Sequence, residues 1–149
     1  METTELTLEL PSDIRSIEQA VDYVMERCSA CCRHGHRLHF NFRVGLTEAL
    51  ANAMLYGNGH DPHKRVRVEV RVAGEEITAR VTDEGDGFDP SGVPDPTHPG
   101  NLLKPCGRGI YLMRSLMDEV EFNDRGNSVT LVLRLDEGGG EPLAGGASA

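Results

Sequence analysis

A glutamate and an asparagine stand four residues apart in the sequence, at Glu48 and Asn52, within the stretch 45–58. Apolar residues recur around them at helical spacing, so the stretch predicts an amphipathic helix with one face toward a core. Residues four apart share a helix face, which places this carboxylate and this amide one above the other. The pair is either an ordinary helix edge or part of a site, and the choice depends on residues further along the chain.

A second cluster, Asp83-Glu84-Gly85-Asp86-Gly87, directly follows a segment with strand-like alternation. Glycines at such a junction let the backbone approach a ligand closely, and a carboxylate there can accept a hydrogen bond from an exocyclic amine. A calcium loop of the EF-hand type is excluded, because Gly85 and Gly87 occupy positions where oxygen ligands are needed. Taken alone, the cluster is equally compatible with a turn and with a binding site.

The third cluster, Gly107-Arg108-Gly109, comes immediately before a segment with helical periodicity. Glycine-flanked helix N-termini expose N–H groups and the positive end of the helix dipole, which suits phosphate oxygens. A glycine pair before a helix is also common as a plain connection. The Arg108 side chain could contact phosphate, contact a protein partner or be solvated, and the sequence leaves these alternatives open.

The elements that must position these clusters are visible as two periodicities. Period-two alternation predicts strands and helical spacing predicts helices. The predicted strands are 3–10, 65–72, 76–82, 120–122 and 127–135, and the predicted helices are 13–33, 39–56 and 110–117. Hairpin-type connections and clean alternation favour a mixed, mostly antiparallel sheet with three helices on one face. We therefore predict an α/β fold, a two-layer α/β sandwich.

The chain has 149 residues, enough for one domain with a sizeable core, which we place at residues 1–135. Residues 136–149 are rich in glycine and alanine and are predicted to be a disordered tail. A glycine- and proline-rich segment from Asp83 to Gly109 has little periodicity. Loops of that length inside a compact domain are uncommon and usually functional.

The net charge of −9 argues against a general nucleic-acid binder, which needs a basic face to neutralise phosphates. The sequence has no run of about eighteen apolar residues that could span a membrane. Its polar, acidic N-terminus also lacks the build of a signal peptide. We therefore expect no nucleic-acid partner, no membrane association and a cytoplasmic location.

Four cysteines, Cys28, Cys31, Cys32 and Cys106, are too few and too clustered for a disulfide scaffold, so we expect free thiols. Histidines beside the first three suggest a metal site as an alternative. Their spacing matches no common zinc pattern, and no second CxxC pair follows. Small, half-buried thiols at a helix end are the favoured interpretation.

The order of the three clusters is more informative than any one of them. EALAN on a helix, DEGDG after a strand, a long loop and GRG at a helix start resemble the N-box, G1 box, ATP lid and G2 box of the GHKL ATPase superfamily, also called the Bergerat fold. That superfamily includes DNA gyrase, heat-shock chaperone ATPases, MutL proteins and histidine kinases. The chain size, the element order and the stretch GRGIYLMRSLMDEVEF resemble the RsbW/SpoIIAB-type anti-sigma factor serine/threonine kinases, over about residues 4–135.

The resemblance implies a role for each residue of the clusters. Glu48 would be the general base, Asn52 would supply an oxygen to Mg²⁺, and Asp83 would bind the adenine amino group of ATP. The glycines would shape the adenine pocket or expose amides to phosphates. They are Gly85 and Gly87 for the pocket, and Gly107 and Gly109 for the phosphates. Arg108 completes the predicted phosphate-binding set.

Two positions depart from the pattern of the superfamily. Many relatives carry a basic residue or histidine four positions after the N-box asparagine, where this chain has Tyr56. Many also use a threonine near the last strand to hold adenine through a water molecule. Asn127 occupies that position here, with Ser128 next to it. Both substitutes can hydrogen-bond, so we expect nucleotide binding with an altered affinity.

By this resemblance the chain would be an anti-sigma factor serine-protein kinase. It would bind ATP and Mg²⁺ and phosphorylate a STAS-domain anti-anti-sigma factor in a partner-switching system that regulates a sigma factor. A homodimer is expected on the same basis. The alternative is a non-catalytic, ATP-dependent binding module. A detached histidine-kinase domain is disfavoured because nothing before Leu6 could be its dimerisation helix, and a gyrase- or MutL-like role lacks a transducer domain.

Overall fold

The computed structural model describes residues 3–32, 35–86 and 105–135 of the chain. Within these ranges, five strands form one sheet, and three helical regions pack on one of its faces. The strands are β1 (Thr3–Pro11), β2 (Arg65–Ala73), β3 (Glu76–Thr82), β4 (Glu119–Phe122) and β5 (Ser128–Arg134). The α-helices are α1 (Ile17–Ser29), α2 (Arg43–Asn52) and α3 (Pro105–Leu116). The predicted two-layer α/β sandwich is confirmed.

The strand order in the sheet is β1-β2-β3-β5-β4, and every pairing among these strands is antiparallel. The predicted sheet was mixed and mostly antiparallel. The described strands pair only in the antiparallel direction. The alternation in β2 explains the two faces. Val68 and Val70 are buried against the helices, whereas Arg67 and Arg71 project from the opposite, open face. A period of two places alternate side chains on opposite faces of a sheet.

The helix α1 begins after a single 3₁₀ turn, Ile14–Ser16, whose N-cap is Asp13. The Asp13 carboxylate accepts a hydrogen bond from the Arg15 backbone N–H at 3.0 Å, which satisfies a donor that the helix start leaves free. One face of α1 then packs into the core through Ile17, Val21 and Val24, spaced as a helix stripe requires. The helix ends at Ser29, so the predicted end at residue 33 was too late.

The helical stretch from Arg37 to Gly57, here called the central helix, is continuous but not uniform. Its middle, α2, is flanked by two wider π-helical segments, Arg37–Phe42 and Ala53–Gly57. The buried residues Leu38, Phe42, Leu46, Leu50 and Met54 recur every four positions through all three parts. The predicted helix at 39–56 is therefore confirmed, although the sequence did not predict its wide turns. Such turns often lie at functional sites.

The third helix starts at Pro105, earlier than the predicted position 110. Proline is favoured at the first position of a helix, because its fixed φ suits the helix and its missing N–H leaves no donor unpaired there. Gly107, Arg108 and Gly109 therefore lie within the first turns of α3, which corrects the prediction that they precede it. Within the described ranges, no helix combines the length and the apolar character needed to cross a membrane.

The two faces of β5 give a direct test of this architecture. Leu131 is fully buried against the helices, and its neighbour Val132 projects toward the open face. Replacing Leu131 by alanine leaves a cavity, so we expect Leu131→Ala to lower the free energy of unfolding by about 2–5 kcal/mol in urea titrations. The matched control, Val132→Ala, should cost less than about 1 kcal/mol. Equal losses for the two variants would contradict the assignment of the faces.

Candidate functional site

The first two sequence clusters meet at one end of the sheet, and Glu48 of the first lies against Gly109 of the third. A small cavity there is lined by Asn52 from α2, by Asp83 after β3 and by Asn127 before β5. The rest of its lining is mostly apolar or backbone, and comprises Ala49, Ala53, Val81, Phe122, Gly126, Ser128 and Val129. A few convergent polar groups on apolar walls are the usual composition of a small-molecule site. Segments far apart in the sequence thus form a single pocket.

Asp83 is held at this cavity by hydrogen bonds on both its backbone and its side chain. Its N–H donates to the Asn127 carbonyl at 2.9 Å, and the Gly85 N–H donates to its carboxylate Oδ1 at 2.8 Å. The residue is only 8% exposed, and this burial raises the pKa of the Asp83 carboxyl. The Gly85 hydrogen bond and the positive charges of Lys64 and Arg125 act in the opposite direction.

Two glycines make room for the Asp83 carboxylate. A Cβ added at Gly57 would lie 2.1 Å from Asp83 Oδ2. A Cβ added at Gly85 would lie 1.7 Å from the Gly57 carbonyl oxygen. Neither distance is possible for real atoms, so the backbone of the central helix and the loop after β3 approach each other more closely than any side chain allows. Glycine is required at both positions by this contact.

Glu48 lies one helical turn before Asn52, at the first turns of α3. A Cβ added at Gly109 would come within 3.2 Å of Glu48 Oε1, so the glycine leaves this carboxylate its space. Partial burial raises the pKa of the Glu48 carboxyl. None of the hydrogen bonds or ion pairs among the described residues involves Glu48. Among the described residues its carboxylate therefore has no bonding partner, which is unusual for a half-buried acid.

The remaining predicted residues have different surroundings. Asn52 is 8% exposed at the end of α2, and Arg108 is exposed on α3. Asn127 also donates from its Nδ2 to the Asp83 carbonyl at 3.4 Å. Gly87, like most of the predicted ATP lid and the predicted tail, lies outside the described residues.

Of the two positions that depart from the superfamily pattern, Tyr56 is exposed and Asn127 lines the cavity. Tyr56 is 45% exposed in the last turn of the central helix. The Ser128 hydroxyl is hydrogen-bonded to Thr82 Oγ1 at 2.9 Å, across the open face of the sheet. The Ser128 side chain is therefore engaged on the side of the sheet opposite the helices. The Asn127 side chain accepts from Asn123 Nδ2 and donates to the Asp83 carbonyl.

Sequence reasoning missed two residues of the site, Gly57 and Asn58. In the sequence they act only as helix-stop signals, because glycine and asparagine commonly end helices. Their contacts are with the loop around Asp83, more than twenty residues further along the chain. No local pattern indicates such a contact. The one available signal was that both residues end the stretch 45–58, which carries Glu48 and Asn52.

Three cysteine side chains, all near the end of α1, are described by the structure. Cys28, Cys31 and Cys32 are free thiols, as expected. Burial raises the pKa of Cys28 to about 11 and that of Cys32 to about 12, so both remain protonated and weakly nucleophilic at neutral pH. Among the residues described, no group of three histidine, cysteine or carboxylate side chains is placed to hold a metal ion.

Comparison with known proteins agrees with this geometry. The family model of the histidine kinase-like ATPase domain matches residues 10–133. The serine-protein kinase RsbW of Bacillus subtilis is 31% identical over 103 residues, which cover 64% of this chain and 64% of the relative. The RsbW of Bacillus licheniformis is 31% identical over 110 residues, covering 66% and 69%. An anti-sigma F factor of Oceanobacillus iheyensis is 28% identical over 99 residues, covering 62% and 66%.

The aligned region thus spans about two thirds of the length of these relatives, and slightly less for the Bacillus subtilis protein. The family match is wider in this chain, because it extends from the end of β1 to the end of β5 and includes Glu48, Asn52, Asp83 and Gly109. Of these four residues, Asn52 and Asp83 line the cavity, and Glu48 lies against Gly109 one helical turn from Asn52. The chain belongs to the histidine kinase-like ATPase domain family.

Proposed function

We propose that this chain is an anti-sigma factor serine-protein kinase. It binds ATP with Mg²⁺ and phosphorylates a serine or threonine of a STAS-domain anti-anti-sigma factor. The observation that carries this proposal is the uncommitted, half-buried Glu48 carboxylate one helical turn from the buried Asn52. The names of the relatives, serine-protein kinase and anti-sigma F factor, support the same function.

The described residues fit an adenine nucleotide. A buried carboxylate, Asp83, lines an apolar-walled cavity and can accept a hydrogen bond from an exocyclic amine. The absence of a Cβ at Gly57 and Gly85 leaves that carboxylate its space beside the central helix. The glycine-containing first turns of α3 lie beside Glu48, and helix N-termini favour phosphate oxygens through their free N–H groups.

Asn52 is the residue that would hold Mg²⁺. Its amide supplies a neutral oxygen, and Mg²⁺ in proteins takes few protein oxygens together with phosphates and waters. The side chain is buried at the cavity, on the same helix face as Glu48. A single protein ligand suits a metal that enters the site together with the nucleotide.

In this mechanism, bound ATP with Mg²⁺ supplies the transferable phosphoryl group and neutralises much of its charge. Glu48 accepts the proton of the attacking hydroxyl of the partner protein. Its raised pKa makes the Glu48 carboxylate a stronger base than that of an exposed glutamate. A general base is most effective when its pKa lies near the operating pH. Asp83 orients the base of the nucleotide, and the α3 backbone positions the phosphates.

The partners are part of the same proposal. We infer that the chain also binds a sigma factor, alternating between it and the anti-anti-sigma factor, and that it acts as a homodimer in the cytoplasm. The net charge of −9 is consistent with protein partners rather than nucleic acid.

The first prediction tests Glu48 as the base. With labelled ATP and a STAS-domain partner encoded beside this chain, Glu48→Gln should reduce phosphoryl transfer by roughly 100-fold or more, since general bases contribute on that scale. The ATP dissociation constant should change only a few-fold, because the base acts on the hydroxyl of the partner. The control is Glu18→Gln, the same change at an exposed position of α1, which should leave transfer unchanged.

Transfer that survives Glu48→Gln would refute the assignment of the base. Absence of transfer by the unmodified chain, combined with partner binding that depends on ATP, would instead establish the non-catalytic binding module described above.

A second prediction concerns the space around Asp83. In Gly57→Ala the new Cβ would collide with the Asp83 carboxylate. We therefore expect the ATP affinity measured by titration calorimetry to fall by roughly tenfold or more. Gly59→Asn is the matched control. Gly59 has a positive φ of 60° with nothing within 4 Å of an added Cβ, and asparagine tolerates that conformation. Equal effects of the two variants would contradict a specific role for Gly57.

The raised pKa of Glu48 predicts how stability depends on pH. The carboxyl titrates higher in the folded than in the unfolded chain, so ionisation disfavours the folded state. Glu48→Gln removes this penalty and should raise the melting temperature at pH 7. The difference should vanish below the ordinary glutamate pKa of 4.5, where both states are protonated. A melting temperature of Glu48→Gln below that of the unmodified chain at pH 7 would show that the carboxylate is stabilised by a partner.

A further inference from the structure

Asn58 is a buried amide whose hydrogen-bonding groups are all used. It is 2% exposed and directly follows the central helix. Its Nδ2 donates to Ser12 Oγ at 2.6 Å and to the Arg65 carbonyl at 3.0 Å. Its Oδ1 accepts from the Glu84 N–H at 2.7 Å. A primary amide offers two donor hydrogens and one carbonyl, so Asn58 suits these three partners in a way that few side chains can.

These bonds join three segments that are distant in the sequence. Ser12 follows β1, Arg65 begins β2, and Glu84 follows Asp83. The Arg65 N–H also donates to Glu84 Oε1 at 2.7 Å, which closes the group. The loop after β3 is therefore attached to the start of β2 both directly and through the Asn58 amide.

The Asn58–Glu84 bond acts beside the closest backbone contact of the site. Gly57 and Gly85 approach each other with no room for a side chain, and Asp83 lies next to both. Contact of this kind limits how near the loop can come but does not hold it there. The bond from the Glu84 N–H to Asn58 supplies the attraction, at the residue that immediately follows Asp83.

We propose that Asn58 is a positioning residue for nucleotide binding. By holding the Glu84 amide, it keeps the Asp83 carboxylate at the cavity in the orientation that accepts a nucleotide base. Asn58 does not line the described cavity and acts through Asp83. The inference rests on the proposed function for the identity of the ligand. The hydrogen bond by which Asn58 holds the loop does not depend on that ligand.

A purely structural asparagine would stabilise the fold without affecting the site, so the test needs a control of similar structural importance elsewhere. Asp118 provides it at the other end of β5. Its Oδ2 accepts from Arg37 at 2.8 Å and from the Arg134 N–H at 2.7 Å. Asp118→Ala therefore removes two hydrogen bonds far from the cavity, whereas Asn58→Ala removes three beside it.

The experiment combines amide hydrogen exchange by NMR with ATP titration. In the unmodified chain without nucleotide, the Glu84 N–H should exchange slowly although the residue itself is exposed, because Asn58 holds it. Asn58→Ala should abolish that protection and weaken ATP binding roughly tenfold or more, since the Glu84 N–H loses its acceptor and no longer fixes the residue after Asp83. Asp118→Ala should lower the unfolding free energy while leaving the protection of Glu84 and the ATP affinity within about twofold of the unmodified chain.

The outcomes separate the two proposals. An unprotected Glu84 amide in the unmodified chain would overturn the role of Asn58, and this measurement does not depend on whether any variant folds. ATP affinity unchanged in folded Asn58→Ala would also overturn it, as would an equal loss of affinity in Asp118→Ala. A protected Glu84 amide in a chain that does not bind ATP would overturn the nucleotide-binding role of Asn58 together with the proposed function, leaving only its hold on the loop.

Discussion

The close approach of the Gly57 and Gly85 backbones is the constraint on which the site depends. Because neither position has room for a Cβ, the end of the central helix can lie directly against the loop after β3. Asp83 is thereby placed beside Asn52, although the two residues come from different layers of the sandwich. A side chain at either glycine would separate the layers at this point and open the cavity.

Two carboxylates of the site lower the stability of the fold around them. Glu48 and Asp83 are carboxylates whose burial raises their pKa values, so each would be more stable in water. Asp83 is partly compensated by the Gly85 N–H and nearby positive charges, whereas Glu48 has no compensating bond among the described residues. The extensive apolar core offsets these local penalties. Groups that must react with a ligand are commonly left unsatisfied in the free protein.

The parts of the fold that sequence could predict are those set by local periodicity. Alternation located β2 and β3 within one residue of their ends, and helical spacing located the central helix. The predicted start of α3 at residue 110 was wrong, because the helix begins at Pro105, a favourable first helical residue, and continues through the glycines.

Residues whose contacts are distant in the sequence could not be predicted from local patterns. In the local sequence, Gly57 and Asn58 indicate only a helix end. Their role in the site arises when the folded chain brings Asp83 and Glu84 against them. The position of the Ser128 hydroxyl has a similar cause. It follows from the strand register, which pairs Ser128 with Thr82 on the open face. The motifs therefore indicated which residues meet, but not which residues hold them together.

The site contains two kinds of spatial relation, and they depend on different parts of the structure. Glu48 and Asn52 lie on one helix, so their separation of about 6 Å along the axis follows from helix geometry alone. The relation of Glu48 to Asp83 instead depends on how α2 packs over β3 and β5, through residues such as Leu46, Leu50 and Leu131. Core packing consequently controls the distance between Glu48 and the nucleotide pocket. It does not change the spacing of Glu48 and Asn52 along their helix. Loosening of the core should therefore change the distance between Glu48 and Asp83 before it changes the spacing of Glu48 and Asn52.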